Sequence, residues 1–355
     1  GATTGEATID SDTILKYLSF VDYPNAVVAM KELPDNSHSH GGASKFRVDT
    51  VYDDEGVLQK IIFCDNGVGL LSTGNVGDCR HYQTATGLKR NNNYQPNSIG
   101  HHGAGLLQLM VQFADTVLFA SKHGSEYHVA TVPDPQNNLE RHIGVIDSSH
   151  ENHTDIDNMW NLYNNGETQG LMIELVPRQG TWDIPDLEKA IEAELSITYT
   201  DKFKRDNRSM DIFINSVQIN IKAFEDFVDL DLDETFTHSW DENGVKMTGD
   251  VRVRAGKVKS SQKNCPYRRL NIALGGRQIS QDSKFGIHTL AARNAYNYPG
   301  MAIHLDFDEA FRSLLNIPPT KWSSFEDGAQ DSVLTKWLME WKKGPQLKSL
   351  IIGYY

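Results

Sequence analysis

Glu32 and Asn36 stand four residues apart in the segment ELPDN, a spacing that puts both on one face of a helix. A carboxylate there can orient or deprotonate a water, and an amide oxygen is a hard ligand of the kind Mg²⁺ takes. On spacing alone, acidic and amide residues on a helix face usually just meet solvent. A second segment, Asp65-Asn-Gly67-Val-Gly69, directly follows an apolar run. An aspartate at a strand end can accept from a ring amino group, and the glycines would let a flat base approach the backbone. Asn-Gly also closes ordinary turns. The third segment is Gly100-His101-His102-Gly103-Ala104-Gly105, with an apolar stretch of helical length behind it. Glycines at a helix N-terminus expose backbone N–H groups where the helix dipole favours phosphate. The order G-x-x-G-x-G reverses the Rossmann fingerprint and lacks the lysine and hydroxyl of a Walker loop, which demotes both of those sites.

These residues need elements to hold them. PNAVVAMKEL (24–33) predicts a helix with Pro24 in its first turn, ended by polar SHSHGGAS (37–44). FRVDTVY and VLQKIIFC predict a hairpin closed by DDEG, with the second strand running into Asp65. GLLQLMVQFA (105–114) reads as a helix, TVLFASKHGSEYHVATV (116–132) as two strands, and LMIELVP (171–177) as another. Between them lie two polar stretches, 71–98 and SSHENHTDIDNMWNLYNNGETQG; a loop as long as the first is usually functional or disordered. DIPDLEKAIEAEL (183–195) predicts a helix near the domain boundary. Beyond it, MDIFINSVQI and RRLNIALGGRQI are strand-like, and DEAFRSLLNI and DSVLTKWLMEWKK are helical.

At 355 residues the chain exceeds what one hydrophobic core usually supports, so two domains are expected. No run approaches the eighteen or so apolar residues of a membrane span, and GATTGEATIDSD lacks the basic and apolar regions of a signal peptide. The expectation is an intracellular protein, cytoplasmic or nuclear, without a membrane partner. Three widely spaced cysteines argue against a disulfide framework and a four-cysteine zinc module. A net charge of −13 disfavours whole-surface attraction to nucleic acid. Even so, Arg252 to Arg277 carries Arg252, Arg254, Lys257, Lys259, Lys263, Arg268, Arg269 and Arg277 with no acidic residue among them. That stretch could hold DNA through phosphate contacts or be a solvated strand-and-loop face.

Taken together, the order and spacing of E-x-x-x-N, D-x-G-x-G and G-x-x-G-x-G resemble the GHKL ATPase superfamily of gyrase, the ninety-kilodalton heat-shock chaperone, histidine kinases and MutL. The resemblance implies an α+β architecture. A Bergerat-fold ATPase domain, a mixed sheet with helices on one face, would cover 1–182, with an ATP lid at about 71–105. An S5-like transducer domain ending in helices would cover 183–355. By the same resemblance Glu32 is the general base, Asn36 the Mg²⁺ ligand, and Asp65 the receiver of the adenine amino group above Gly67 and Gly69. Gly100, His101, His102, Gly103, Ala104 and Gly105 would wrap the triphosphate, with Lys89 a further phosphate contact. The segment Pro318-Pro319-Thr320-Lys321 is similar to the H-P-[AT]-K motif of MutL-type proteins, and PTKWSSFED looks like the matching region of MORC ATPases. Lys321 is thereby the candidate sensor lysine for the γ-phosphate. A MORC-like protein would bind ATP and Mg²⁺, order its lid and dimerise through its N-terminal region, with residues 1–20 as an arm exchanged between protomers, and would act on DNA or chromatin.

This chain departs from the pattern in two places. Pro34 lies inside the expected catalytic helix, where an interior proline costs roughly 3 kcal/mol unless the helix kinks or ends. The threonine expected on a late strand near the adenine is not cleanly placed: Thr168 is close, but the apolar alignment puts Gly170 there. His38, His40, His101 and His102 flank the site and could converge on Zn²⁺ or Cu²⁺, or serve as hydrogen-bonding or stacking groups of the lid. The rivals to an ATPase clamp are a chaperone-type ATPase, a topoisomerase-like subunit, and a nucleotide-gated binding module with little or no hydrolysis.

Overall fold

A computed structural model describes residues 5–7, 23–70, 105–139, 141–262, 264–267, 269–283 and 300–314. The fold is α+β, with mixed sheets and few helices. It divides into two compact units: Gly1–Glu194 with Arg208–Asn220, and Leu195–Asn207 with Ile221–Tyr355.

In the first unit the described strands are β1 (Gly5–Ala7), β2 (Lys45–Tyr52), β3 (Leu58–Asp65), β4 (Ala114–His123) and β5 (Glu126–Val132). They continue with β6 (Arg141–Ile146), β7 (Gln169–Pro177), β8 (Asp211–Ile214) and β9 (Val217–Gln218). The sheet order is β1-β6-β5-β4-β7-β3-β2-β8-β9, antiparallel except where β8 runs parallel to β2. MDIFINSVQI, expected in the second domain, thus supplies an edge of the first unit's sheet. The β2–β3 hairpin forms as the sequence predicts. Asp53 Oδ1 accepts from the N–H groups of Glu55 and Val57 at 2.9 and 2.8 Å, and Gly56 takes φ +79 in the turn.

Five consecutive buried residues end β3, because both faces of the sheet are covered. Ile62 and Cys64 join Ala120, Tyr127 and Met172 in a core completed by Ile156 and Trp160 of a helix, His153–Tyr163. That helix lies in the polar insertion, where Ile156 and Trp160 at helical spacing were its only large buried signals. Trp160 is fully buried, and its indole N–H donates to the Glu167 carbonyl at 2.7 Å. Phe63 and Asp65 point the other way, toward the helix Glu32–Ser39, whose Ser37 bonds Asp65. The single helical face implied by the resemblance is therefore corrected: the described helices lie on both faces of this sheet.

The expected helix over 24–33 is two short ones. Asn25 caps α1 (Ala26–Ala29), accepting from the Val28 N–H at 3.0 Å, and α2 (Glu32–Ser39) begins after a turn at Met30 and Lys31. Pro34 explains the break. It has no N–H to give the Met30 carbonyl, which accepts from Leu33 at 3.0 Å instead. Pro34 then occupies the first turn of α2, where a missing N–H is not felt, and Glu32 and Asn36 remain on one regular helix. The remaining helix of this unit near the site is α3 (Gly105–Phe113), fastened by Trp182, whose indole N–H donates to the Phe113 carbonyl at 2.9 Å. Leu187–Thr198 is helical too, and the division between the units falls within it.

The second unit contains a five-stranded sheet, β10 (Val228–Glu242), β11 (Val245–Val258), β12 (Arg269–Leu274), β13 (Arg277–Ser283) and β14 (Met301–Phe307). Its order is β10-β11-β14-β12-β13, with β12 and β14 parallel. Val253 and Ala255 pair with Leu305 and Ile303 on an apolar face, while Arg254 pairs with His304 on the other. That second face is a buried polar layer. Arg254, 0% exposed, donates to Asp201, to Glu225 at 2.5 Å and to His304 Nδ1 at 3.1 Å. His304 Nε2 lies 2.9 Å from Gln278 Oε1. Burial, with Arg254 beside it, pushes the His304 pKa well down, so the ring is neutral and its 3.8 Å approach to Asp201 is not an ion pair. DEAFRSLLNI begins as a 3-10 turn, Glu309–Arg312; its last three residues and DSVLTKWLMEWKK lie outside the described residues.

Two substitutions test these cores. Trp160→Ala removes a fully buried tryptophan from the first unit's core and is expected to cost about 3–5 kcal/mol in urea unfolding. Arg254→Met leaves Asp201 and Glu225 without their cation and is expected to cost about 3–5 kcal/mol for the second unit, read by the same unfolding curve.

Candidate functional site

Asp65 ends β3 with a carboxylate 6% exposed and satisfied from three directions. Oδ2 accepts from the Ser37 hydroxyl of α2 at 2.7 Å. Oδ1 accepts from the N–H of Gly67 at 2.9 Å and from that of Leu171, its cross-strand partner on β7, at 3.2 Å. Burial pushes its pKa up, and the three donors hold it down only in part. The Asp65 carbonyl accepts from the buried Asn164 amide at 2.8 Å. An ionised carboxylate offers about four acceptor positions, so these partners leave room for one further donor.

The glycines after Asp65 are required by close approach. A Cβ on Gly67 would come within 2.5 Å of the Gly41 carbonyl, which already accepts from the Val68 N–H. Gly69 has φ +72, and a Cβ there would overlap Ser121 Oγ. Gly170, not Thr168, lies against Asp65: its φ is +137, a Cβ on it would strike the Asp65 carbonyl, and Thr168 is exposed. Ser121, fully buried, accepts from the Leu70 N–H at 2.9 Å and lies 3.0 Å from His123 Nε2. Burial and the neighbouring His128 lower the His123 pKa, which keeps this pair neutral near pH 7.

Glu32 is 5% exposed, with Oε1 accepting from the Tyr23 hydroxyl at 2.9 Å. Gly105, the last glycine of the G-x-x-G-x-G run, opens α3 directly against this carboxylate, and a Cβ on it would overlap the Glu32 side chain. Asn36 is half-buried one turn along from Glu32, and among the described residues its side chain makes no hydrogen bond. Three segments far apart in the chain thus meet: Gly105 on Glu32, and Ser37 of the same helix on Asp65. Lys89, Gly100, His101, His102, Gly103, Ala104 and Lys321 lie outside the described residues.

Of the four histidines that could converge on a metal, His38 and His40 are among the described residues. His38 is fully buried with Nε2 2.9 Å from the Arg208 carbonyl, and Arg208 donates back to the His38 carbonyl, whereas His40 is exposed. Among the described residues no three His, Cys, Asp or Glu side chains are grouped to hold a metal. The basic stretch is also partly neutralised. Arg252 makes two 2.9 Å hydrogen bonds to Asp233, Arg254 is buried among Asp201 and Glu225, Lys259 donates to the Glu225 carbonyl at 3.0 Å, and Arg277 is buried. Among the described residues no helix is long and apolar enough to cross a membrane. No protein-family profile matches the chain, and no curated protein is significantly similar to it.

Tyr23, Ser37 and Ser121 are the site residues that spacing did not mark. Ser37 could have been found as the neighbour of Asn36; Tyr23 is separated from Glu32 by a helix break that erases periodicity.

Asp65→Asn isolates the carboxylate. An amide oxygen can take both backbone N–H groups while its NH₂ donates to the Ser37 oxygen, so the fold should survive. A raised native pKa means that the folded wild type holds its proton more tightly than the unfolded chain, and so gains stability as pH falls. The variant is therefore expected to match or exceed wild-type stability at pH 8, with its advantage shrinking through the carboxylate range toward pH 4, as read by urea unfolding across pH.

Proposed function

We propose that the chain is an ATP- and Mg²⁺-dependent ATPase of the GHKL type, most like MORC proteins, with a Bergerat-type first unit whose second sheet face is covered by the helix His153–Tyr163, and an S5-like second unit. The observation that carries this reading is the meeting of three motifs: the Glu32 carboxylate against Gly105, and Asp65 tied to the same helix through Ser37. Asp65 supplies an acceptor for the exocyclic amino group of adenine, with one acceptor position still to fill beside its three donors. Glu32 orients the attacking water and takes its proton. Asn36, on the same helix face, would hold Mg²⁺ through its side-chain oxygen. When bound, the ion neutralises charge on the transferring phosphoryl group.

In the same reading the 71–105 segment closes as the lid, Gly100, Gly103 and Gly105 present N–H groups to the phosphates, and Lys89 and Lys321 add charge. Lid ordering then drives N-terminal dimerisation, and hydrolysis releases it. Pro34 in the first turn of α2 leaves Glu32 and Asn36 on a regular helix, which favours turnover over a passive nucleotide-gated module. DNA contact through the 252–277 stretch would fall to Lys257, Lys259, Lys263, Arg268 and Arg269, since Arg252 and Arg254 are already neutralised.

Steady-state turnover with Mg²⁺-ATP tests the reading. Glu32→Gln is expected to lose about 10²- to 10⁴-fold in kcat while still binding nucleotide. Equal rates for wild type and variant would sink the catalytic assignment. Sedimentation with a non-hydrolysable ATP analogue should show a dimer; an unchanged monomer would remove the clamp from the reading.

A further inference from the structure

Tyr23 belongs to no motif, yet its side chain ends on the carboxylate at the centre of the proposed site. It is 2% exposed, and its hydroxyl donates to Glu32 Oε1 at 2.9 Å. Its backbone is fixed as well. The Tyr23 N–H donates to Gln112 Oε1 at 3.1 Å, and the Gln112 amide donates back to the Tyr23 carbonyl at 2.9 Å. Gln112 is steadied by Gln108, one turn earlier on α3, whose amide donates to Gln112 Oε1 at 3.1 Å. The same helix begins with Gly105, which lies against Glu32 on its other flank. One helix therefore controls the glutamate twice, through the Gly105 backbone directly and through the Gln112–Tyr23 clamp.

We propose that Tyr23 is a positioning residue that fixes the orientation of the Glu32 carboxylate for water activation, a role that rests on the ATPase reading above. A glutamate side chain has three rotatable bonds, and a general base that turns away from its water loses the near-attack geometry on which its contribution depends. The hydroxyl engages one carboxylate oxygen and so fixes the plane of the group. Because the Tyr23 backbone is clamped to α3, the hydroxyl is itself placed by the helix that follows the glycine motif. Tyr23 touches no reacting atom in this scheme. Its loss should therefore appear in kcat and leave nucleotide affinity alone.

The test uses the full chain with Mg²⁺-ATP. Turnover is measured for wild type, Glu32→Gln and Tyr23→Phe; affinity for a non-hydrolysable ATP analogue comes from calorimetry, and folding from thermal unfolding. Tyr23→Phe, which deletes only the hydroxyl, is expected to lower kcat by about tenfold or more with KM and analogue affinity within about twofold of wild type. An active wild type, an inactive Glu32→Gln and a Tyr23→Phe variant with wild-type turnover would overturn the role of Tyr23 and leave the ATPase reading standing. A matching loss of affinity and kcat/KM in Tyr23→Phe would also overturn it, marking a structural residue instead. If Tyr23→Phe unfolds, Gln112→Ala removes both backbone anchors and keeps the hydroxyl; kcat must fall with affinity retained, and an unchanged kcat overturns the proposal. A wild-type chain that neither binds nor hydrolyses ATP is the distinct failure of the ATPase reading, and the role of Tyr23 falls with it.

Discussion

The buried carboxylate of Asp65 is the constraint on which the first unit's site depends. A charge removed from water must be met by donors, and each donor here belongs to a different element: Ser37 to α2, Gly67 to the turn after β3, Leu171 to β7. Displacing any of them would leave a buried acceptor short, at a cost of about 1–3 kcal/mol for an ordinary group and more for a charged one. The helix, the turn and the strand are therefore held in register at one point. Asn164, following the helix on the opposite face, fastens the Asp65 carbonyl and brings that layer into the same register.

Glu32 is placed by a different device. Pro34 denies the Met30 carbonyl its usual donor, so the chain breaks at Met30 and Lys31 and restarts as α2 with Glu32 at its first position. A glutamate at the start of a helix also sits favourably at the positive end of the dipole. The break separates α1 from α2 and lets Tyr23, nine residues earlier, fold back to the carboxylate. Gly105 completes the arrangement, because only a residue without Cβ fits where α3 begins against Glu32.

In the second unit the governing fact is an arginine with no access to water. Arg254 is tolerated inside the sheet because Asp201, Glu225 and a neutral His304 surround it with acceptors. The acids that neutralise this stretch come from outside it, Asp201 and Glu225 from the preceding helices and Asp233 from β10. A run of cations in one dimension is therefore not a run of available charge in three.

Much of the fold was legible from local pattern. The β2–β3 hairpin, α3, β4, β5 and β7 depend on side-chain alternation, helical spacing and turn chemistry within a few residues, and these are present in the sequence itself. The helix His153–Tyr163 was hidden because its polar surroundings left Ile156 and Trp160 as the main apolar marks. The ribbon β10–β11 was hidden because much of its length is solvent-exposed. By itself the sequence determined the local elements and the order of Glu32, Asn36, Asp65 and Gly105, since spacing along a chain is set when residues are written in line. Only the tertiary structure decided that Ser37 and Leu171, 28 and 106 residues from Asp65, would close on its carboxylate, and that Tyr23 would reach Glu32. The reason is that a buried charge takes its partners from whatever elements packing brings within hydrogen-bond reach, and sequence distance has no part in that choice.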